Sequence, residues 1–225
     1  MTLVLHQHPL ASFCHKVLIA LYEIDVPFER VLVNLGDEAS RTTFLAVSPL
    51  GKMPALRDEA RDRTLFETSI IIEYLDRYYP GSERLVPEAF DDALNVRLWD
   101  RFFDLYVQEP MQQVVSERMR PDGSEARADE ARAALGRSYD VIEKKLGVGD
   151  WISGDSFSMA DCAAAPGLFY AETLVPFGSS RPKLAAYYSR LLQRPSIARV
   201  LDEAIPFFQY YPYRENLPVR FRPEA

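Results

Sequence analysis

Two short stretches of this chain carry residue types whose spacing invites chemistry. In Val47-Ser48-Pro49-Leu50-Gly51-Lys52-Met53-Pro54-Ala55-Leu56, a proline opens a short apolar run directly after a loop. Proline is tolerated at the first position of a strand, and X-Pro is the only bond with an accessible cis form. A cis bond at Met53–Pro54 turns the N–H and C=O of Met53 outward, where an extended peptide can pair with both. A plain turn ahead of an edge strand accounts for the same residues. In Phe66-Glu67-Thr68-Ser69, a short strand gives way to a helix, whose free N–H groups and positive dipole end attract a carboxylate. There Thr68 can donate its hydroxyl to the carboxylate while Glu67 accepts from an ammonium group, so the two together match the head of an α-amino acid. Ordinary helix capping uses the same residue types.

Ser12 and Cys14 are further candidates, because both stand near the start of the first helix. A thiol at a helix N-terminus can have a depressed pKa and can form mixed disulfides, whereas a buried free cysteine is also a common packing residue. Cys14 and Cys162 are the only cysteines of the 225 residues, too few for a disulfide framework and consistent with a reducing compartment. His6, His8 and His15 crowd the N-terminus without a carboxylate and cysteine set to complete a metal site, so no metal is expected. The net charge of -7 argues against a nucleic-acid partner. No apolar run approaches the ~20 residues of a membrane span, so no membrane partner and a cytoplasmic location are expected.

The elements that must position these residues follow from periodicity. Residues 2–7 alternate as a strand, residues 13–23 carry helix-spaced Val17, Leu18 and Leu21, and residues 28–33 form a second strand. Residues 37–46 suit a short helix. Two short strands at 54–56 and 64–66 flank a charged turn, and a helix runs to Tyr79. The sum is βαβαββα, a thioredoxin-like α/β arrangement over residues 1–79. Residues 80–88 read as a turn-rich linker. Beyond it no strand is indicated: helices are expected at 89–119, 125–146, 159–173, 182–193 and 196–204, so residues 89–225 form an all-α domain. The aromatic, proline-punctuated tail 206–225 cannot be a regular helix and is expected to pack along the surface.

The order Pro-Leu-Gly-Lys-Met-Pro-Ala-Leu, a hairpin, Leu-Phe-Glu-Thr-Ser-Ile-Ile-Ile-Glu-Tyr-Leu, a linker and an all-helical domain resembles the glutathione transferase family over nearly the whole chain. Gly154-Asp155-Ser156-Phe157-Ser158-Met159-Ala160-Asp161 is similar to that family's helical capping motif, in which Ser158 and Asp161 form a reciprocal capping box worth ~1 kcal/mol. The resemblance implies glutathione as co-substrate, a small, largely apolar electrophile as second substrate, detoxification as the role, and a homodimer. It implies that Met53 pairs through its backbone with the cysteinyl part of glutathione, that Pro54 is cis, that Glu67 and Thr68 hold the γ-glutamyl end, and that Lys52 reaches the glycine carboxylate.

Catalysis in such a protein means making a thiolate, and a thiol of pKa ~8.5 is only a few per cent ionised at neutral pH. Lowering that pKa by ~2 units takes ~2.7 kcal/mol, of which a helix N-terminus supplies ~0.3–1 and a hydrogen bond to the anion ~1.5–3. A donor is therefore needed beside the dipole. Residues 2–7 contain no tyrosine, which leaves the serine- and cysteine-type patterns (theta-, zeta- and beta-like). Their catalytic residue lies five places before the position matching Lys16, and Ala11 stands there in this chain. Ser12 follows, and its hydroxyl or N–H is the expected activator. The competing functions are a glutathione-dependent thiol–disulfide oxidoreductase using Cys14, and a binding module without catalysis.

Overall fold

The computed structural model describes residues 2–147 and 149–222. The last three residues of the expected tail lie outside this range. The chain forms two compact units, Met1–Val86 and Pro87–Ala225.

In the first unit the alternation of Leu3, Leu5 and Gln7 becomes strand β1 (Leu3–Gln7), with those three side chains buried. The apolar spacing after it becomes α1 (Ser12–Ile24), then β2 (Glu29–Leu32), α2 (Glu38–Val47), β3 (Ala55–Asp58), β4 (Arg63–Leu65) and α3 (Thr68–Tyr78). The sheet order is β2-β1-β3-β4, with β1 parallel to β2 and antiparallel to β3, and β3 antiparallel to β4. This is the expected thioredoxin-like mixed sheet. Asp37 starts α2 by accepting from the Ser40 N–H at 2.7 Å. Beyond α3, the turn-rich segment is fastened to this unit: Asp76 accepts from Arg84 Nε and from the Leu85 N–H, both at 2.7 Å.

At the far end of β3, opposite the loop that precedes it, the buried carboxylate of Asp58 accepts from Tyr74 at 2.7 Å, from Tyr79 at 2.5 Å and from the Arg61 N–H at 3.2 Å. Burial raises the pKa of Asp58, but the hydroxyls of Tyr79 and Tyr74 and the N–H groups of Arg61 and Ala60 outweigh it and hold the carboxyl below its ordinary value.

The second unit is helical: α4 (Phe90–Phe103), a π turn (Asp104–Gln108), α5 (Glu109–Met119), α6 (Glu125–Lys145), α7 (Met159–Leu174), α8 (Pro182–Gln193) and α9 (Pro195–Ala204). The expected single helix over 89–119 is therefore interrupted. Pro110 has no N–H to offer the carbonyl of Tyr106 one turn earlier, and that carbonyl instead accepts from Ser138 of α6 at 2.7 Å. Asp161 at the start of α7 accepts from the N–H and hydroxyl of Ser158, both at 2.9 Å, and also from Ile152 N–H at 3.2 Å and Tyr187 at 2.6 Å. The capping box thus also joins the loop before α7 to α8. The tail differs from a surface strap. It winds through three short 3₁₀ turns and buries Phe208, Tyr211, Tyr213, Leu217 and Phe221. Phe208 packs on Phe169 of α7 at 5.7 Å, Phe221 meets the same ring edge to face at 5.4 Å, and Asn216 donates to the Thr173 carbonyl at 2.8 Å. Among the described residues no helix is long and apolar enough to cross a membrane.

Asp58 has a depressed pKa in the folded state, so its stabilisation is present above the unfolded carboxylate value near ~4 and is lost as pH falls through the folded one. Asp58→Asn is expected to cost about 2 kcal/mol at neutral pH. In urea unfolding followed against pH, the gap between the two proteins should shrink once pH drops below ~4.

Candidate active site

The register of the sheet gathers the candidate residues of the first unit. His6 pairs with Ala55 and Leu56 with Leu65, so the end of β1, the entry to β3 and the exit from β4 share one edge. The starts of α1 and α3 grow from that same edge, at the point where connections from the central strand diverge, which is where open α/β sheets place ligands.

The loop entering β3 is built around a residue that the sequence reading passed over. Ser48 is buried, its hydroxyl donates to the Lys52 carbonyl at 3.0 Å, and its own carbonyl accepts from the Gly51 N–H at 2.9 Å. Gly51 takes φ 64°, a left-handed turn that suits a residue without Cβ. The Met53–Pro54 peptide is cis. The Met53 side chain, like that of Val47, packs against the buried cluster of Val33, Phe44 and Ala55. Among the described residues its main-chain groups make no backbone hydrogen bond. Lys52 is exposed beside it.

Glu67 is the residue immediately before α3, exposed, with φ 71° and ψ 111°. A non-glycine residue held there costs on the order of 1–3 kcal/mol, and such strain clusters at functional sites. Its carbonyl accepts the first helical hydrogen bond, from Ile71 N–H at 2.9 Å, and its side chain makes no capping bond. Capping therefore does not explain the carboxylate of Glu67. Thr68 is the buried first residue of α3. Next to it, Ser69 accepts from Lys16 Nζ of α1 at 3.1 Å. Lys16 is fully buried, and it too went unremarked as a site residue in the sequence, although a lysine on the apolar face of a helix is a readable signal.

At the start of α1, Ala11 occupies the cap position without a side-chain bond, and its carbonyl accepts from the N–H groups of Cys14 at 2.8 Å and His15 at 3.1 Å. The helix begins at Ser12, one residue earlier than periodicity indicated, so Ser12 is not its cap. The Ser12 side chain is buried while Ala11 is half-exposed. Cys14 is fully buried, and burial pushes its thiol up to about 12, the hydrogen bond with the His8 backbone opposing the rise. The loop before β3 and the starts of α1 and α3 thus meet at one end of the sheet.

Residues 5–83 match the family pattern "Glutathione S-transferase, N-terminal domain", and residues 102–195 match "Glutathione S-transferase, C-terminal domain". The chain belongs to the glutathione transferase family. It is 28% identical to glutathione S-transferase F13 of Arabidopsis thaliana over 210 residues, covering 89% of this chain and 95% of that protein. It is 26% identical to glutathione S-transferase GstB of Escherichia coli K12, covering 83% and 91%. A glutathione S-transferase crystal structure from Methylobacillus flagellatus with glutathione bound superposes with a TM-score of 0.80 at 26% identity, covering 88% of this chain and 98% of the other. As a glutathione transferase, the protein keeps the expected fold with the two helix starts of its first unit on one sheet edge.

Replacing Glu67 by glycine removes a strained backbone and a candidate ligand group at once. Glu67→Gly is expected to raise thermal stability by about 1 kcal/mol while weakening tripeptide binding, as read by melting temperature with and without glutathione. A fall in stability would show that the φ of Glu67 carries no strain.

Proposed function

We propose that the protein conjugates the thiolate of glutathione to small, largely apolar electrophiles, as a serine-type transferase. The observation that carries this reading is the pairing, on one edge of one sheet, of an unbonded main-chain segment at Met53 with the strained helix start at Glu67 and Thr68. The residues fit the tripeptide group by group. The N–H and C=O of Met53 pair with the cysteinyl backbone as an added strand does. The Thr68 hydroxyl and the N–H groups of α3 take the γ-glutamyl carboxylate, and Glu67 accepts from its ammonium group. Lys52 is the cation for the glycine carboxylate. Pro54 and Ser48 keep the loop in the shape that offers Met53.

Ser12 is the residue to which we assign thiol activation. It opens α1, where the dipole favours an anion, and because its side chain is buried, the main-chain N–H is the donor assigned to the sulfur. Ala11 at the usual position then acts through its small size, leaving the sulfur room at the helix start. The role of a second subunit is assigned to α4: Phe90, Leu94 and Leu98 expose a stripe at four-residue spacing, of the kind a homodimer covers. Detoxification in the cytoplasm is the setting we infer for this chemistry.

The oxidoreductase alternative requires a reactive Cys14, whose burial and raised pKa oppose it. Binding is tested first: millimolar glutathione should raise the melting temperature, and an unmoved melting point would end the proposal. Ser12→Pro, which removes the N–H at a position that tolerates proline, should lower kcat at least tenfold in an aromatic-halide conjugation assay. Ser12→Ala should stay within about threefold; a larger loss would move the role to the hydroxyl. An aromatic disulfide reagent should titrate no thiol before unfolding, and Cys14→Ser should keep conjugating activity; loss of activity there would favour the oxidoreductase.

A further inference from the structure

We propose that Gln7 is a catalytic residue of the transferase: its side-chain amide hydrogen-bonds the glutathione sulfur and donates to the thiolate, beside the Ser12 N–H. The inference rests on the glutathione reading above and deepens it by naming a second donor, which Ala11 at the usual position does not supply.

Gln7 is the last residue of β1, and register fixes its main chain from both sides. It pairs with Leu32 of β2, its carbonyl accepts from the Val33 N–H at 2.9 Å, and the preceding His6 pairs with Ala55 of β3. In an antiparallel ladder the residue after His6 lies level with the residue before Ala55, so Gln7 stands beside the cis Pro54, one residue from the Met53 segment. The turn that follows is short: the His8 carbonyl accepts from the Ala11 N–H at 2.9 Å, and α1 begins at Ser12. Gln7 thus lies between the loop assigned to the cysteinyl backbone and the helix start assigned to its thiol. Side chains alternate along a strand. His6 turns to Phe44 of α2, with 6.1 Å between the rings, so Gln7 points to the opposite face with Leu3 and Leu5.

On that face an amide is out of place. Gln7 is only 5% exposed, and its Oε1 is sealed from water with no hydrogen-bond donor among the described residues. A buried amide oxygen without a donor destabilises the folded protein, whereas a methionine of similar length would fill the space without that cost. A ligand seated at this edge supplies the missing partner. The amide suits sulfur because its tip holds an acceptor and two donors, and half a turn about its last bond exchanges them. It accepts from the S–H of the arriving thiol and donates an N–H once that proton has left to solvent, itself neither gaining nor losing a proton. A hydrogen bond to an anion is roughly twice as strong as one between neutral groups, so the second state is favoured and the thiolate with it. Together with the Ser12 N–H, the amide gives the sulfur two donors, as an oxyanion hole gives a developing alkoxide.

The test separates contact with the sulfur from packing, using the full chain. Gln7→Met removes the amide and keeps the length. S-hexylglutathione, whose sulfur is a thioether and cannot ionise, should bind this variant within about twofold of wild type by isothermal titration. Glutathione, followed by its ultraviolet thiolate absorbance against pH, should ionise about one unit higher on the variant than on wild type. With an aromatic halide, kcat/KM should therefore fall about tenfold near neutral pH and return to within about threefold of wild type at about pH 9. If the methionine variant fails to fold, Gln7→Asn, which draws the amide back by one methylene, should move the thiol in the same direction with S-hexylglutathione binding kept. An unmoved thiol, or equal losses for S-hexylglutathione and glutathione, would overturn the proposal and leave Gln7 a packing residue. A wild-type protein that fails to bind S-hexylglutathione at all would overturn the functional reading itself, and this inference with it, before any variant is made.

Discussion

The first unit depends on strand β1 being paired along both edges. Parallel pairing of Leu5 with Arg30 and antiparallel pairing of Leu5 with Leu56 leave β1 in the middle of the sheet. Its buried Leu3 and Leu5 forbid a one-residue slip, which would turn both toward the opposite face. With that register set, the end of β1 must lie beside the entry to β3, and the hairpin of β3 with β4 returns the chain to the same edge. Two helices then begin there, because each follows a strand that ends there.

Several features that propensity alone does not explain meet at that edge. Glu67 holds a positive φ, Met53 follows a turn closed by Ser48 and Gly51, and Lys16 is fully buried with its ammonium on Ser69. Together they place main-chain donors and acceptors, a helix dipole and a lysine at one end of the sheet, the kind of departure that clusters at functional sites. The buried carboxylates of Asp58, Asp76 and Asp161, by contrast, are supplied with donors.

Much of this was legible in the chain itself. Residues 13–23 have the 3.6-residue period of a helix, and the Ser158 and Asp161 pair announced a capped one, because both signals are carried within a few residues of one another. The Pro-Leu-Gly-Lys-Met-Pro run and the Glu-Thr-Ser run marked the loop and helix start for the same reason. The interruption of 89–119 was less accessible. Pro110 is visible, but whether the freed Tyr106 carbonyl is satisfied depends on Ser138, 32 residues away. The aromatic tail was misjudged as a surface strap because its partners Phe169 and Thr173 lie on a helix some forty residues earlier. The contacts of Ser48 with the Lys52 carbonyl and of Lys16 with Ser69 were missed because periodicity does not report them.

By itself, the sequence determined which segments form strands and helices, where the capping box lies and that Met53–Pro54 and Glu67–Thr68 were worth attention, since propensity, capping and X-Pro geometry are local properties. Only the tertiary structure decided that Cys14 is sealed from solvent, that the Glu67 backbone is strained and that the Lys16 ammonium reaches Ser69 across 53 positions of chain. Those outcomes depend on how sheet register and helix packing bring distant atoms together, and no window of neighbouring residues contains that information.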